Sequence, residues 1–179
     1  ISSAITKAAS NITVEFGTAK FINSGPQFIF NFGSTSDTPL FEGLDISGGK
    51  FEQSDALTTA NRNFIRIAGM KRFKIDRPWL KNVSNGGILV EAGCEDGVIN
   101  APTVVGTSGY SICRAIWLNG STASDYAGQL IDTTSITRNA TPFPTYAAKR
   151  ITIVNPMIVV THYGIYLMNC RDVTIINPN

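Results

Sequence analysis

The chain has 179 residues, 43% of them hydrophobic and 16% charged, with 16 glycines; that composition is globular and β-leaning and excludes a disordered or fibrous chain. Fifteen Lys and Arg against 13 Asp and Glu leave +2, too weak a charge to argue for nucleic acid, and no run of about 18 apolar residues exists to insert into a membrane. Three cysteines and one histidine provide neither a disulfide scaffold nor a zinc spacing, so no metal and no cofactor is expected.

In chain order, residues 2–9 read as a short helix. Ser2 or Ser3 can cap it, and Ile1, Ala4, Ile5, Ala8 and Ala9 share one face. The expectation is a capping helix within residues 1–11, covering a sheet edge that would otherwise invite aggregation.

From Ile12-Thr13-Val14-Glu15-Phe16-Gly17 onward the chain repeats itself. Four segments carry an apolar pair spaced by two, then a short polar residue, then proline. They are Phe73-Lys74-Ile75-Asp76-Arg77-Pro78, Gly97-Val98-Ile99-Asn100-Ala101-Pro102, Ile151-Thr152-Ile153-Val154-Asn155-Pro156 and Val173-Thr174-Ile175-Ile176-Asn177-Pro178. Weaker members are Phe21-Ile22-Asn23, Asp45-Ile46-Ser47 and Leu130-Ile131-Asp132. The polar anchors fall at 23, 47, 76, 100, 132, 155 and 177, with spacings of 24, 29, 24, 32, 23 and 22. The register is open by one residue, because proline follows Asn155 and Asn177 at once but Asp76 and Asn100 only after a spacer.

A second strand recurs out of phase with the first: Phe64-Ile65-Arg66-Ile67, Gly87-Ile88-Leu89-Val90, Ala115-Ile116-Trp117-Leu118 and Gly164-Ile165-Tyr166-Leu167. Its alternation is that of a half-buried strand. Shorter runs such as Val104-Val105 and Met157-Ile158-Val159-Val160 complete about three strands per repeat. Such a strand cannot bury its apolar face alone; stacking it on the next repeat pairs the backbone and closes a core. The fold class expected is therefore all-β, a right-handed parallel β-helix of about seven coils in one domain, residues 1–179. The C-terminal end stops mid-coil, so more coils or a partner are expected beyond Asn179. Asn100, Asn155 and Asn177 sit where strands bend, as turn residues or as a stacked amide ladder. Cys94 and Cys170 occupy matching places three coils apart, roughly 14 Å by strand spacing and too far for a disulfide.

The opening Ile1-Ser2-Ser3-Ala4-Ile5, the run Val14-Glu15-Phe16-Gly17-Thr18-Ala19-Lys20-Phe21-Ile22, and the coils Gly164-Ile165-Tyr166-Leu167 and Arg171-Asp172-Val173-Thr174-Ile175-Ile176-Asn177 resemble the pectate-lyase-like superfamily of right-handed parallel β-helices. Within it the chain looks most like the β-helix domain of bacteriophage tailspikes and capsule depolymerases. The resemblance spans nearly the whole chain, and no catalytic motif accompanies it. The family's usual first coil has Pro-Gly or Ala-Gly before Thr-Tyr; Phe16-Gly17-Thr18-Ala19 matches in part. The resemblance implies a homotrimer on a virion tail, extracellular, that binds and often cuts a bacterial surface polysaccharide, capsule or O-antigen.

Several residues could carry that chemistry. With Ile65, Ile88, Ile116 and Ile165 pointing inward, Arg66, Leu89, Trp117 and Tyr166 point outward along one face. Arg66, Lys74, Trp117 and Tyr166 are candidates for substrate binding, since aromatic rings suit the apolar faces of sugars; the alternative is packing under a loop or in a trimer interface. Seven basic residues between positions 62 and 81 (Arg62, Arg66, Lys71, Arg72, Lys74, Arg77 and Lys81) face one acid, Asp76. They form either a patch for an acidic glycan or a solvated face. A glycosidase needs two carboxylates about 5 to 9 Å apart. Glu91 and Asp96 flank the turn at Cys94, and Asp125 and Asp132 flank a long turn one coil later, with Asp76 and Glu95 also near strand ends. A lyase needs a base and a cation to stabilise a carbanion, for which His162 with Tyr163, Tyr166 and Arg171 is the candidate. Three readings follow: a depolymerase acting as glycoside hydrolase or lyase, a non-catalytic receptor-binding or structural spike, and a secreted pectate-lyase-type enzyme.

Overall fold

The computed structural model describes residues 5–23, 30–34, 39–53, 63–83, 86–106, 114–120, 148–159 and 163–179. The described residues are all-β, without a helix, and every strand pairing among them is parallel. In chain order the strands are β1 (Ile5–Lys7), β2 (Ile12–Asn23), β3 (Phe30–Gly33), β4 (Phe41–Gln53), β5 (Asn63–Ala68), β6 (Met70–Asp76), β7 (Trp79–Val83) and β8 (Gly86–Val90). They continue with β9 (Glu95–Asn100), β10 (Thr103–Gly106), β11 (Arg114–Asn119), β12 (Ala148–Val154), β13 (Met157–Val159), β14 (Tyr163–Met168) and β15 (Cys170–Ile176).

The six-stranded sheet runs β1-β3-β5-β8-β11-β14. The nine-stranded sheet holds the rest, and the long β4 joins two paths within it. Its first half pairs with β6, and its second half pairs with β7. One path continues β6-β9-β12-β15, the other β7-β10-β13.

Burial follows the alternation read from the sequence. Ile65, Ile88 and Ile116 lie in one register column and are fully buried, with Ile165 next in line and half-buried. Ile46, Ile75, Ile99 and Ile153 form a second buried column. Aromatic rings fill the core near β2: Phe21 stacks on Phe51 at 5.3 Å, and Phe16 meets Phe51 edge-on at 5.4 Å. In the last strands Leu167 and Ile175 are exposed, because no described strand pairs beyond β14 or β15.

The bends recur as columns of left-handed backbone. Arg72, Asp96, Arg150 and Asp172 have φ of 54–56°, a conformation costing an L-residue about 1–2 kcal/mol. Ion pairs cross the rungs at and beside these bends: Arg150 Nε donates to Asp96 at 2.5 Å, Lys149 meets Glu95 at 2.6 Å, and Arg72 meets Glu42 at 2.7 Å. The second column is Arg77, Ala101, Asn155 and Asn177, with φ of 46–49°, and proline follows each. This column resolves the open register in favour of proline. Asn155 and Asn177 occupy the bend itself, and Asp76 and Asn100 the position before it; Asn100 accordingly pairs with Val154.

The bend side chains bond in two separate pieces, of which only the first is an amide-to-amide pair. Asn177 Nδ2 donates to Asn155 Oδ1 at 3.1 Å, and Asn100 Nδ2 donates to Asp76 Oδ1 at 2.6 Å. The one-residue step between the pieces keeps them apart.

Three expectations change. The capping helix within 1–11 is replaced over Ile5–Lys7 by a strand paired with β3; residues 1–4 lie outside the described residues. The reason is that the edge of β3 offers backbone partners, whereas so short a helix is marginal by itself. Second, β9 pairs directly with β12, so the anchor at Asp132 is not a rung between them; positions 130–132 lie outside the described residues. Third, Cys94 and Cys170 are separated only by Ala148 in their column, two rungs and about 9.6 Å rather than three.

Candidate functional site

The six-stranded sheet sets five residues in one register column: Asn31, Arg66, Leu89, Trp117 and Tyr166. The four residues expected to share a face therefore do share it. The column is not an open stripe along its whole length, because Leu89 is 3% exposed. Its neighbours on the adjacent rungs are the long side chains of Arg66 and Trp117, which flank it on both sides.

The column divides into two chemical halves. In the first, Arg66 Nη1 donates to Asn31 Oδ1 at 2.7 Å, and Nη2 forms an ion pair with Glu91. Glu91 follows β8, and its backbone N–H donates to Ile67 O, which brings it to the rung of Arg66. In the second half the guanidinium of Arg114 lies 4.3 Å from the centre of the Trp117 ring and 4.8 Å from that of Tyr166. Trp117 meets Tyr166 edge-on at 6.3 Å, and Tyr163 stands 5.3 Å from Tyr166. The register explains the cluster: Arg114 pairs with Tyr163 and Trp117 with Tyr166. The indole Nε1 of Trp117 is buried, and no group among the described residues accepts a hydrogen bond from it.

Arg114 and Asn31 are absent from the sequence-based candidates. Strand alternation gives no signal for Arg114, because residues three apart on a regular strand point to opposite faces. The pairing of Arg114 with Tyr163 and of Trp117 with Tyr166 brings the cluster together.

The remaining candidates separate. Lys74 stands on β6 of the nine-stranded sheet, beside Asp45 and Val98, and takes no part in the column. Asp96 is held by Arg150 at the left-handed bend of the same sheet. Glu91 and Asp96 flank one turn in sequence but bond to different sheets, so they are not a carboxylate pair on one target. Hydrogen bonds from Arg150 hold the Asp96 carboxyl below the usual carboxylate range. Burial pushes the Glu95 carboxyl up, but hydrogen bonds from Lys149 and Arg150 more than reverse this. Asp76 is lowered chiefly by Asn100. These are settled structural anions, unlike the raised acid a glycosidase needs. Asp125, Asp132 and His162 lie outside the described residues.

The basic run between 62 and 81 does not form one free patch. Acids divide it: Arg66, Arg72 and Lys81 pair with Glu91, Glu42 and Glu52 from other strands or turns, and Arg77 pairs with the adjacent Asp76. Parallel stacking sets each strand beside others of opposite charge, which sequence spacing along one strand does not show.

Among the connections, β5 passes to β6 through Gly69 alone and β14 to β15 through Asn169 alone. Between β11 and β12 the same place holds residues 120–147. The long insertion therefore departs from the strand that carries Arg114 and Trp117. Comparison of the chain with protein-family models, curated proteins and solved structures finds no match.

Proposed function

We propose that the chain is a right-handed parallel β-helix of tailspike type that binds a bacterial surface polysaccharide on its six-stranded wall. The observation that carries this reading is the column of Arg66, Trp117 and Tyr166 on three strands of one sheet, with residues 120–147 inserted in sequence directly after β11. Each strand of the six-stranded sheet before β14 is followed by strands on the two paths of the other, and the chain then returns in parallel. That order favours a coil, about six in all, and parallel crossovers are right-handed in about 98% of cases. Insertions in a repeat protein gather on the binding side. Rings held on a rigid sheet present flat apolar faces to sugars at little entropic cost.

In the depolymerase form of this reading, hydrolase or lyase, the chemistry rests on Asp125, Asp132 and His162, because Glu91 and Asp96 are held in ion pairs. Those same ion pairs favour a second reading, a non-catalytic receptor-binding spike. A homotrimer on a virion tail belongs to both.

The test uses a panel of capsular and O-antigen polysaccharides. Binding to one of them is expected, with loss of about tenfold or more in Trp117→Ala and Tyr166→Ala. Released reducing ends or unsaturated uronic products, abolished in Asp125→Asn, Asp132→Asn or His162→Ala, would establish the depolymerase; retained binding without product would establish the spike. Binding untouched by both aromatic variants would refute the site.

A further inference from the structure

The outer face of the nine-stranded sheet holds a hollow at its first rungs. The left-handed bend column of Arg72 and Asp96 continues toward β2 through Gly43 (φ 75°) and Asn11 (φ 55°). Gly43 carries no side chain, and an open hollow of about 350 Å³ lies beside it, bordered by Asn11, Thr13, Asp45, Arg72 and Lys74. That volume is at the small end of ligand sites. Thr13, Asp45 and Lys74 occupy one register column on β2, β4 and β6, and all three are exposed. Elsewhere on this sheet facing residues of opposite charge pair, as Lys149 does with Glu95. Asp45 and Lys74 do not: among the described residues neither enters a hydrogen bond or an ion pair. Lys74 acts on Asp76 through space only, since Asn100 and Arg77 supply the hydrogen bonds to that carboxylate. Arg72, at the rim, is met by Glu42.

The hollow therefore offers a carboxylate, an ammonium, an amide and a hydroxyl around one space, and with Arg72 met by Glu42 the charges balance. An ion of either sign would be repelled by one member of the Asp45–Lys74 pair. A hydroxyl is both donor and acceptor, so two neighbouring hydroxyls can donate to Asp45 while accepting from Lys74. We infer that the hollow is a second glycan subsite, for the vicinal hydroxyls of a neutral sugar residue, with Asp45 and Lys74 as the binding pair and Asn11 and Thr13 beside them. The subsite rests on the polysaccharide reading above but not on the Trp117 column, which stands on the other sheet. Paired strands fix the backbone of both residues, which limits the freedom lost on binding.

The experiment measures binding of the full chain to a panel of neutral and acidic capsular and O-antigen polysaccharides, with Asp45→Ala, Lys74→Ala, Trp117→Ala and Tyr166→Ala compared with the parent. Asp45→Ala and Lys74→Ala should each weaken binding about tenfold, the scale of a hydrogen bond to a charged group. The sign of the two effects identifies the ligand. If the hollow read a charge, removing one member of the pair would weaken binding and removing the other would strengthen it. That result overturns the neutral-sugar subsite, and so does a loss confined to one of the two variants. Binding unchanged in both, with loss in Trp117→Ala, overturns the subsite and leaves the polysaccharide reading standing. Loss in both, with the Trp117 and Tyr166 variants unchanged, supports the subsite and refutes the six-stranded wall. No binding to any polymer overturns both. Asp45 and Lys74 are exposed and unpaired, so their variants should melt with the parent. Asp45→Asn and Lys74→Met keep side-chain bulk and carry the same test if an alanine variant melts early.

Discussion

Gly97 lies inside β9, where glycine ordinarily weakens a strand. Its place in the structure gives the reason. A Cβ added at Gly97 would fall against the Phe73 ring on the next rung, 2.6 Å from Cε2 and closer still to Cζ and Cε1. Phe73 is 2% exposed and has no open side to move into. Gly97→Ala should therefore destabilise the chain by about 1–3 kcal/mol through overpacking. At about 2–4 °C per kcal/mol for a chain of this size, the melting temperature should fall by roughly 2–12 °C. The same change should behave differently in a Phe73→Leu background, because leucine lacks all three of the ring atoms concerned. There Gly97→Ala should be neutral, or stabilising by roughly 0.5 kcal/mol from the lost freedom of the unfolded chain. The coupling between the two positions should be about 1–3 kcal/mol, measured by urea unfolding of the four proteins under one set of conditions. Equal costs in both backgrounds, or no cost in the parent chain, would refute the packing argument.

Ala101 adopts φ 46° in the column where Asn155 and Asn177 adopt 47° and 48°. Asparagine tolerates that region better than alanine, so Ala101→Asn should stabilise by up to about 1 kcal/mol in the same urea assay; a loss would sink the idea. The carboxyls of Glu52, Asp76, Glu95 and Asp96 lie below their ordinary values when folded. As pH falls, the unfolded chain binds protons first, so stability should be level above about pH 5 and decline toward about pH 3. Asp96→Asn should make that decline shallower; thermal melts across the range would show it, and a flat profile in the parent chain would contradict it. Burial pushes the Cys94 thiol up to about 12. Alkylation at pH 8, mapped by mass spectrometry, should therefore leave Cys94 unlabelled until urea unfolds the chain.

Much of the wall was legible in the residues alone. The isoleucines at 65, 88 and 116 recur with strand alternation, and a strand with one apolar face must bury it, so inward columns follow from spacing. The sharing of one face by Arg66, Leu89, Trp117 and Tyr166 follows from the same alternation. Proline after a bend marks the corner, because it fixes φ and cannot continue the strand's hydrogen bonding. The N-terminal segment misled for a physical reason. Apolar residues three and four apart suit a helix, but the edge of β3 offers partners that only the fold supplies.

What only the tertiary structure decided is which rung meets which. Sequence spacing suggested a rung at Asp132, whereas β9 pairs directly with β12. The same pairing sets Glu95 and Asp96 against Lys149 and Arg150, more than fifty positions away. Pairing of this kind is why Glu91 and Asp96 are held in ion pairs and why four of the seven cations of the basic run meet acids. It is also why Arg114 emerged beside Trp117 and Tyr166. Periodicity along a strand reports the direction in which a side chain points. The charges and rings it meets depend on the register between rungs, which long-range pairing sets.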